Sequence, residues 1–275
     1  MAPDAIAEEL AAGLGSRVEA RWVLADLAGL DPAARKAAAA SVLEGRRRGE
    51  PLQYLLGHWQ FRTLDLLVDG RALIPRPETE MMVDRALAAL VARRGELCAA
   101  DLGCGTGAVA LSLAVEADAL RLELDVVATD LSEGALELAR ANAVRTRAPR
   151  VTFEQGSWFE ALDPALRGRL SVVCSNPPYV AAAVRGSLDA ELDYEPALAL
   201  VADDAEDGTP GFGAVATILE SVSEWLADGG TVLVEHGDDQ GDAAVAAARA
   251  SGLVDIVDHV DLAGRPRLLE ARRRR

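Results

Sequence analysis

Cysteine is scarce in this 275-residue chain, and the three present (Cys98, Cys104, Cys174) form no Cys-x-x-Cys pair. Neither a disulfide framework nor a zinc site of ordinary spacing is encoded, and the three are expected to serve as small buried apolar side chains. Long apolar runs are missing too, so no bilayer-spanning segment is expected. The first residues carry Asp4, Glu8 and Glu9 where a secretion leader would be basic, which points to a cytoplasmic protein. Positive charge is in deficit: 28 Lys and Arg face 44 Asp and Glu, for a formal charge of −16. A surface that attracts polyanions as a whole is therefore excluded, because phosphate binding needs a concentrated basic face. Arg46 to Arg48, Arg93-Arg94 and the tail Arg272 to Arg275 are local basic runs, read as solvated faces or a frayed end. The three histidines (His58, His236, His259) stand apart and are read as structural. No cluster of His, Cys and carboxylate has metal-ligand spacing, so no metal is expected.

Half the residues are apolar, enough for a substantial core, and their spacing divides the chain into three parts. Residues 1–57 read as a small helical domain. Ile6, Leu10 and Leu14 recur every four residues, Ser16 can cap a second helix, and Asp31-Pro32 is an N-cap followed by proline at the first helical position. Residues 58–75 change period and read as a hairpin linker. Phe61, Leu64, Leu66 and Val68 would form one strand, with Asp69-Gly70 turning into Ala72-Leu73-Ile74.

Residues 76–275 alternate strands and helices. Strands are expected at Leu97 to Leu102, Leu124 to Thr129, Val151 to Glu154, Leu170 to Ser175, Gly230 to Glu235 and Asp255 to Val260. The alternation predicts an α/β fold, a Rossmann-like doubly wound and mostly parallel sheet that binds ligands at the carboxyl ends of its strands. Asp203 to Gly213, rich in Asp, Gly and Pro, reads as a loop.

Chemistry gathers at those strand ends. The first strand runs into Asp101-Leu-Gly-Cys-Gly-Thr-Gly107, where Gly103, Gly105 and Gly107 let the backbone turn sharply and approach a ligand closely. The second ends in Asp130, a carboxylate able to accept hydrogen bonds from both hydroxyls of a ribose. After the third, Gln155-Gly-Ser-Trp-Phe159 puts Trp158 where it can pack on a purine base. The fourth ends in Ser175-Asn-Pro-Pro-Tyr179, whose prolines make a rigid platform. There the Asn176 side-chain oxygen and the Pro177 carbonyl can each hold one N–H of a planar NH2 group, and Tyr179 can cover it.

The glycine loop with Asp130 resembles the cofactor motifs of class I S-adenosylmethionine-dependent methyltransferases, and Asn-Pro-Pro-Tyr those that modify planar nitrogens. Pro51-Leu-Gln-Tyr-Leu-Leu-Gly57, Phe61, Ile74-Pro-Arg-Pro-Glu-Thr-Glu80, Tyr194-Glu-Pro196, the run from Asp228 to Gly237 with Gln240, and Asp261 to Arg267 extend the likeness. Over roughly residues 45 to 270 the chain resembles the release factor glutamine methyltransferase family. The resemblance implies methyl transfer from S-adenosylmethionine to the side-chain amide nitrogen (N5) of the glutamine in the Gly-Gly-Gln motif of class I peptide chain release factors. It places Gly103, Gly105, Gly107, Asp130, Trp158 and Asn176 around the cofactor, and Asn176, Pro177, Pro178 and Tyr179 on the glutamine, with Asn176, Pro177 and Tyr179 as the catalytic set. Arg76, Pro77, Glu78 and Thr79 would wall the substrate, with Arg76 paired to Glu78 or Glu80. Ser157 stands where the family commonly carries aspartate. The alternative is an N6-adenine methyltransferase acting on DNA or RNA, disfavoured by the acidic balance and the lack of a basic recognition segment.

Overall fold

The computed structural model describes residues 3–275. Helices α1 (Pro3–Leu14), α2 (Arg17–Asp26), α3 (Pro32–Arg47) and α4 (Leu52–Leu56) form the amino-terminal region. The caps act as their side chains predict: Ser16 accepts the Glu19 N–H, and Asp31 accepts those of Ala33 and Ala34. Ile6, Leu10, Val23, Val42, Leu43 and Leu52 pack into a core of their own.

The hairpin pairs β1 (His58–Phe61) with β2 (Leu64–Leu67), so its turn lies at Arg62-Thr63 rather than at the expected Asp69-Gly70. Distant groups decide this. Arg62 takes a left-handed φ of 52°, its N–H donates to Glu80, and its guanidinium clasps Glu116. Asp69 instead accepts from the N–H and guanidinium of Arg71, a local turn that ends the strand.

The remaining elements alternate as the periodicity predicts: α5 (Glu80–Val91), β3 (Leu97–Leu102), α6 (Ala108–Ala119), β4 (Leu124–Asp130), α7 (Glu133–Thr146), β5 (Val151–Gln155) and β6 (Leu170–Ser175). Two short strands, β7 (Val180–Ala181) and β8 (Val201–Ala202), pair around α8 (Ala197–Leu200). Then come α9 (Gly213–Trp225), β9 (Leu226–Glu235), α10 (Gly241–Ala250), β10 (Val254–Val260) and β11 (Pro266–Arg272).

The main sheet has the order β10-β11-β9-β6-β3-β4-β5, parallel from β9 to β5 and antiparallel at β10 and β11. Strand β11 was not expected, and Arg272, read as part of a frayed tail, is its last residue. Leu268, Leu269 and Ala271 are buried between β9 and β10, so tertiary context overrides the helix-favouring run Leu-Leu-Glu-Ala. Met82, Val83, Ala86, Leu111 and Leu136 pack one face of the sheet. Val215, Ile218, Leu219, Val222, Ala244 and Ala248 pack the other.

Register decides where the chemistry falls. Leu102 lies beside Thr129 and Ser175, Asp130 beside Gln155, and Ser175 beside Val234. The residues that follow, Gly103, Gly156, Asn176 and Glu235, together with Asp130, therefore emerge along one edge. Strand order reverses between β3 and β6, the switch point at which such sheets open a crevice.

Candidate active site

Two cavities meet at that crevice. The first, about 390 Å³, is lined by Gly103 to Thr106, Asp130 to Ser132, Gly156 to Trp158 and Asn176. The second, about 810 Å³, is lined by Pro51 and Gln53 from the helical region, by Asn176 to Val180 and by Asp189 to Leu192. Arg76, Asn176 and Pro178 belong to both.

The glycine loop is tied to the end of β4. The N–H groups of Gly103 and Cys104 both donate to the Thr129 carbonyl, at 2.8 and 2.9 Å. Gly103, Gly105 and Gly107 have φ of 73°, 54° and 82°, a region that side chains with a Cβ rarely adopt. A Cβ on Gly105 would stand 3.9 Å from Ala72, its nearest neighbour, and would project into the first cavity. Asp130 accepts the Gly105 N–H on Oδ2 and the Ser132 N–H on Oδ1, both at 2.9 Å. Burial raises its pKa despite those bonds. Trp158 flanks the cavity with its ring against Gly103, in a left-handed φ of 45° that is uncommon for so bulky a residue.

At the junction, Asn176 Nδ2 donates to Thr79 Oγ1 at 3.2 Å. Thr79 donates to Glu235 Oε2 at 2.7 Å, and the Tyr179 hydroxyl reaches Glu235 Oε1 at 3.3 Å. Glu235 is buried, which pushes its pKa up to about 7 against the bonds from Thr79 and Tyr179 and the charge of Arg267. Burial, then Glu235, raises the Tyr179 phenol. Arg76 lines both cavities and pairs with buried Glu195 at 2.5 Å, while Glu195 also accepts the Ile74 N–H at 3.0 Å.

A methyltransferase-domain family model matches residues 99–186. The chain is 38% identical over 232 residues to a release factor glutamine methyltransferase of Xylella fastidiosa (strain 9a5c), spanning 84% of this chain and 80% of that protein. It is 39% identical over 254 residues to a release factor glutamine methyltransferase of Bordetella pertussis (strain Tohama I), spanning 90% and 87%. The chain belongs to the release factor glutamine methyltransferase family. A solved methyltransferase from Pyrococcus furiosus, 18% identical, superposes with a TM-score of 0.57 over 84% of this chain and all of its own length, which supports the fold.

Within this family member, the structure brings most of the expected site residues together. Gly103, Gly105, Asp130, Trp158 and Asn176 line the first cavity, and Asn176, Pro177, Pro178 and Tyr179 line the second. Gly107 does not reach either. A Cβ there would meet Leu111 and Ala139 at 3.1 to 3.3 Å, so this glycine lets the start of α6 pack closely against α7. Of the expected substrate wall, Arg76 and Thr79 face the cavities, whereas Pro77 and Glu78 are exposed and line neither. The expected pairing of Arg76 with Glu78 or Glu80 gives way to Glu195, which approaches from 119 positions away in sequence. The histidines lie apart from both cavities: His58 between Asp26 and Asp65, His236 against Asp258, and His259 on Glu270.

Three acids that lie within the quoted motifs but carry no expected role stand at the site: Asp101, Glu195 and Glu235. Asp101 lines the first cavity, accepts the Ala110 N–H at 3.0 Å and is pushed up to about 7 by burial. One signal was present in the sequence. Asp101 is next to last in an apolar strand and Glu235 closes one, both at the carboxyl edge that carries Asp130 and Asn176, and a carboxylate at a buried strand end needs a reason.

Proposed function

We propose that this chain transfers a methyl group from S-adenosylmethionine to the side-chain amide nitrogen of a glutamine, the one in the Gly-Gly-Gln motif of class I peptide chain release factors. The observation that carries the reading is the placement of Asn176 and Pro178 at the neck between a ligand-sized cavity and a wider cleft. Family membership supports the same reaction.

The first cavity fits the cofactor. A cradle at Gly105 that any Cβ would enter, carboxylates at Asp101 and Asp130 for a cationic nucleoside, and the Trp158 ring beside them are the groups such a ligand needs. S-adenosylmethionine, when bound, supplies an electrophilic methyl carbon. Asp130 retains oxygen lone pairs for ribose hydroxyls after its two backbone bonds, since each carboxylate oxygen accepts more than one donor. Asn176 and the Pro177 carbonyl hold the two N–H bonds of the amide, which turns its nitrogen toward the neck. The chain thereby contributes orientation and exclusion of water. Tyr179, its hydroxyl tethered to Glu235, presents its ring to the second cleft and covers the amide plane.

The wider cleft receives the glutamine-bearing loop. Its far wall comes from residues 49 to 53, so we assign the division 1–57, 58–75 and 76–275 to partner recognition, linker and methyl transfer. Asp189 and Glu191 line this cleft, an unfavourable setting for a phosphate backbone and one that weighs against the adenine reading. Action on release factors implies a cytoplasmic enzyme, and among the described residues no helix is long and apolar enough to cross a membrane.

The test is mass spectrometry of purified release factor after incubation with the protein and methyl-labelled S-adenosylmethionine. Label on the glutamine amide is the expected result. N6-methyladenine in nuclease digests of added DNA or RNA, with no labelled glutamine, would move the assignment to nucleic acid.

A further inference from the structure

Glu235 touches neither cavity, yet two residues that do are hydrogen-bonded to it. Its place follows from the sheet: β9 lies beside β6 with Val234 opposite Ser175, so Glu235 and Asn176 leave adjacent strands at the same level. Thr79, buried at the end of the helical turn Pro77–Thr79 that leads into α5, is hydrogen-bonded to both.

We infer that Glu235 is a positioning residue which, acting through Thr79, sets the direction of the Asn176 side-chain amide so that its carbonyl oxygen faces the acceptor nitrogen. The inference rests on the glutamine-methylating reading of the site. A carboxylate has no proton to give, so both hydroxyls that reach Glu235 must donate to it. Thr79 has one hydroxyl proton and directs it to Glu235 at 2.7 Å. Its oxygen can then only accept, and the partner at 3.2 Å is the Asn176 amide, which must present its NH2 group. The Asn176 oxygen is thereby turned the other way, toward the neck where the cavities meet.

A terminal acceptor that can also donate breaks this logic. With glutamine at position 235 the chain can run backwards: the new amide donates to Thr79, Thr79 donates to the Asn176 oxygen, and Asn176 offers its NH2 to the substrate. Two donors would then face each other where an acceptor is required. Tyr179 adds a second tether to the same carboxylate, so one residue holds both the group that orients the amide and the ring that covers it. The charged groups around Glu235 are Arg267, which favours the ionised form, and Glu78, which opposes it. Measurements belong near pH 8, above the value of about 7 to which burial pushes Glu235.

The experiment compares Glu235→Gln, Thr79→Val and Thr79→Ser with the unaltered protein on intact release factor, with each variant's fold checked by thermal melting. Glu235→Gln and Thr79→Val are expected to lower kcat by about 10-fold or more, with KM for the release factor and the affinity for S-adenosylmethionine changed by less than about threefold. Thr79→Ser keeps the hydroxyl and should restore most of kcat. A substrate-free readout accompanies these: the side-chain amide resonances of Asn176, assigned by their loss in Asn176→Asp, should shift in Glu235→Gln and Thr79→Val but stay in place in Thr79→Ser. Unmoved Asn176 resonances in Glu235→Gln, or Thr79→Ser as impaired as Thr79→Val, would overturn the inference. Failure of the unaltered protein to label glutamine would instead overturn the proposed function, while the amide spectrum would still decide whether Glu235 directs Asn176.

Discussion

When Asp130 is replaced by alanine, two backbone N–H groups lose their acceptor before any ligand is considered: Gly105 at 2.9 Å and Ser132 at 2.9 Å. Hydrogen bonds to a charged acceptor contribute on the order of 1.5–3 kcal/mol each, a gross loss of roughly 3–6 kcal/mol. Part of that is offset, because the buried carboxylate no longer has to be desolvated, as its raised pKa indicates. A net loss of about 2–3 kcal/mol is expected, large beside the roughly 5–15 kcal/mol that holds a typical domain folded. Asp130→Asn keeps one acceptor and should lose about half as much. Cofactor affinity responds to a different pair of bonds, those from the ribose hydroxyls. Their loss should weaken S-adenosylmethionine binding by about 10²- to 10⁴-fold in Asp130→Ala. Denaturant titration measures the first effect. Isothermal titration calorimetry, run where the variant is fully folded, measures the second. A folded Asp130→Ala protein that binds the cofactor within about threefold of the unaltered chain would refute the assignment of Asp130 to the ribose.

Asn176→Ala should lower turnover by about 10²-fold or more while cofactor affinity falls far less, and turnover within a few-fold of the original would show that Asn176 does not orient the acceptor. Gly211→Ala places a Cβ 2.6 Å from the Tyr179 carbonyl and the Ala181 nitrogen in a φ of 63°, so it should displace the Tyr179 segment and lower stability and turnover together. Gly186, with open space around it, is the control site, and equal melting temperatures for the two alanine variants would contradict the close approach. Asp101 and Glu235 titrate near 7 when folded, against ordinary values of 3.8 and 4.5. The folded chain therefore holds more protons than the unfolded one across that window, so their contribution to stability is full at acid pH and is lost as pH rises through about 7. Asp101→Asn should flatten the decline, and parallel stability curves from about pH 5 to about pH 8 would count against it. EDTA should leave turnover unchanged, because among the described residues no three His, Cys, Asp or Glu side chains gather at ligand spacing, and recovery of lost activity by one added ion would contradict this.

Much of the site is legible in the sequence because its parts are short and local. The glycine loop, Asp130 and Asn176-Pro-Pro-Tyr179 each follow a strand whose apolar run is plain, and a parallel sheet brings such ends to one edge whatever the loops between them do. The strand from Leu97 to Leu102 and that from Leu170 to Ser175 were legible to the residue. Helix caps at Ser16 and Asp31 were legible for the same reason, since a cap involves residues only two or three positions apart.

What required the tertiary structure was every pairing between distant segments. The hairpin turn moved to Arg62 because Glu80 and Glu116 hold it there, 18 and 54 positions away. Strand β11 exists because β9 and β10 leave a place between them, not because Leu-Leu-Glu-Ala favours extended chain. Arg76 found Glu195 rather than a neighbouring acid, and Asn176 is joined to Glu235 through a threonine 97 positions from the first and 156 from the second. Sequence alone determined which chemical groups stand at the ends of which strands, since period and motif are properties of adjacent residues. Only the folded chain decided which way those groups point, because a hydrogen bond's direction depends on the partner that packing brings to it.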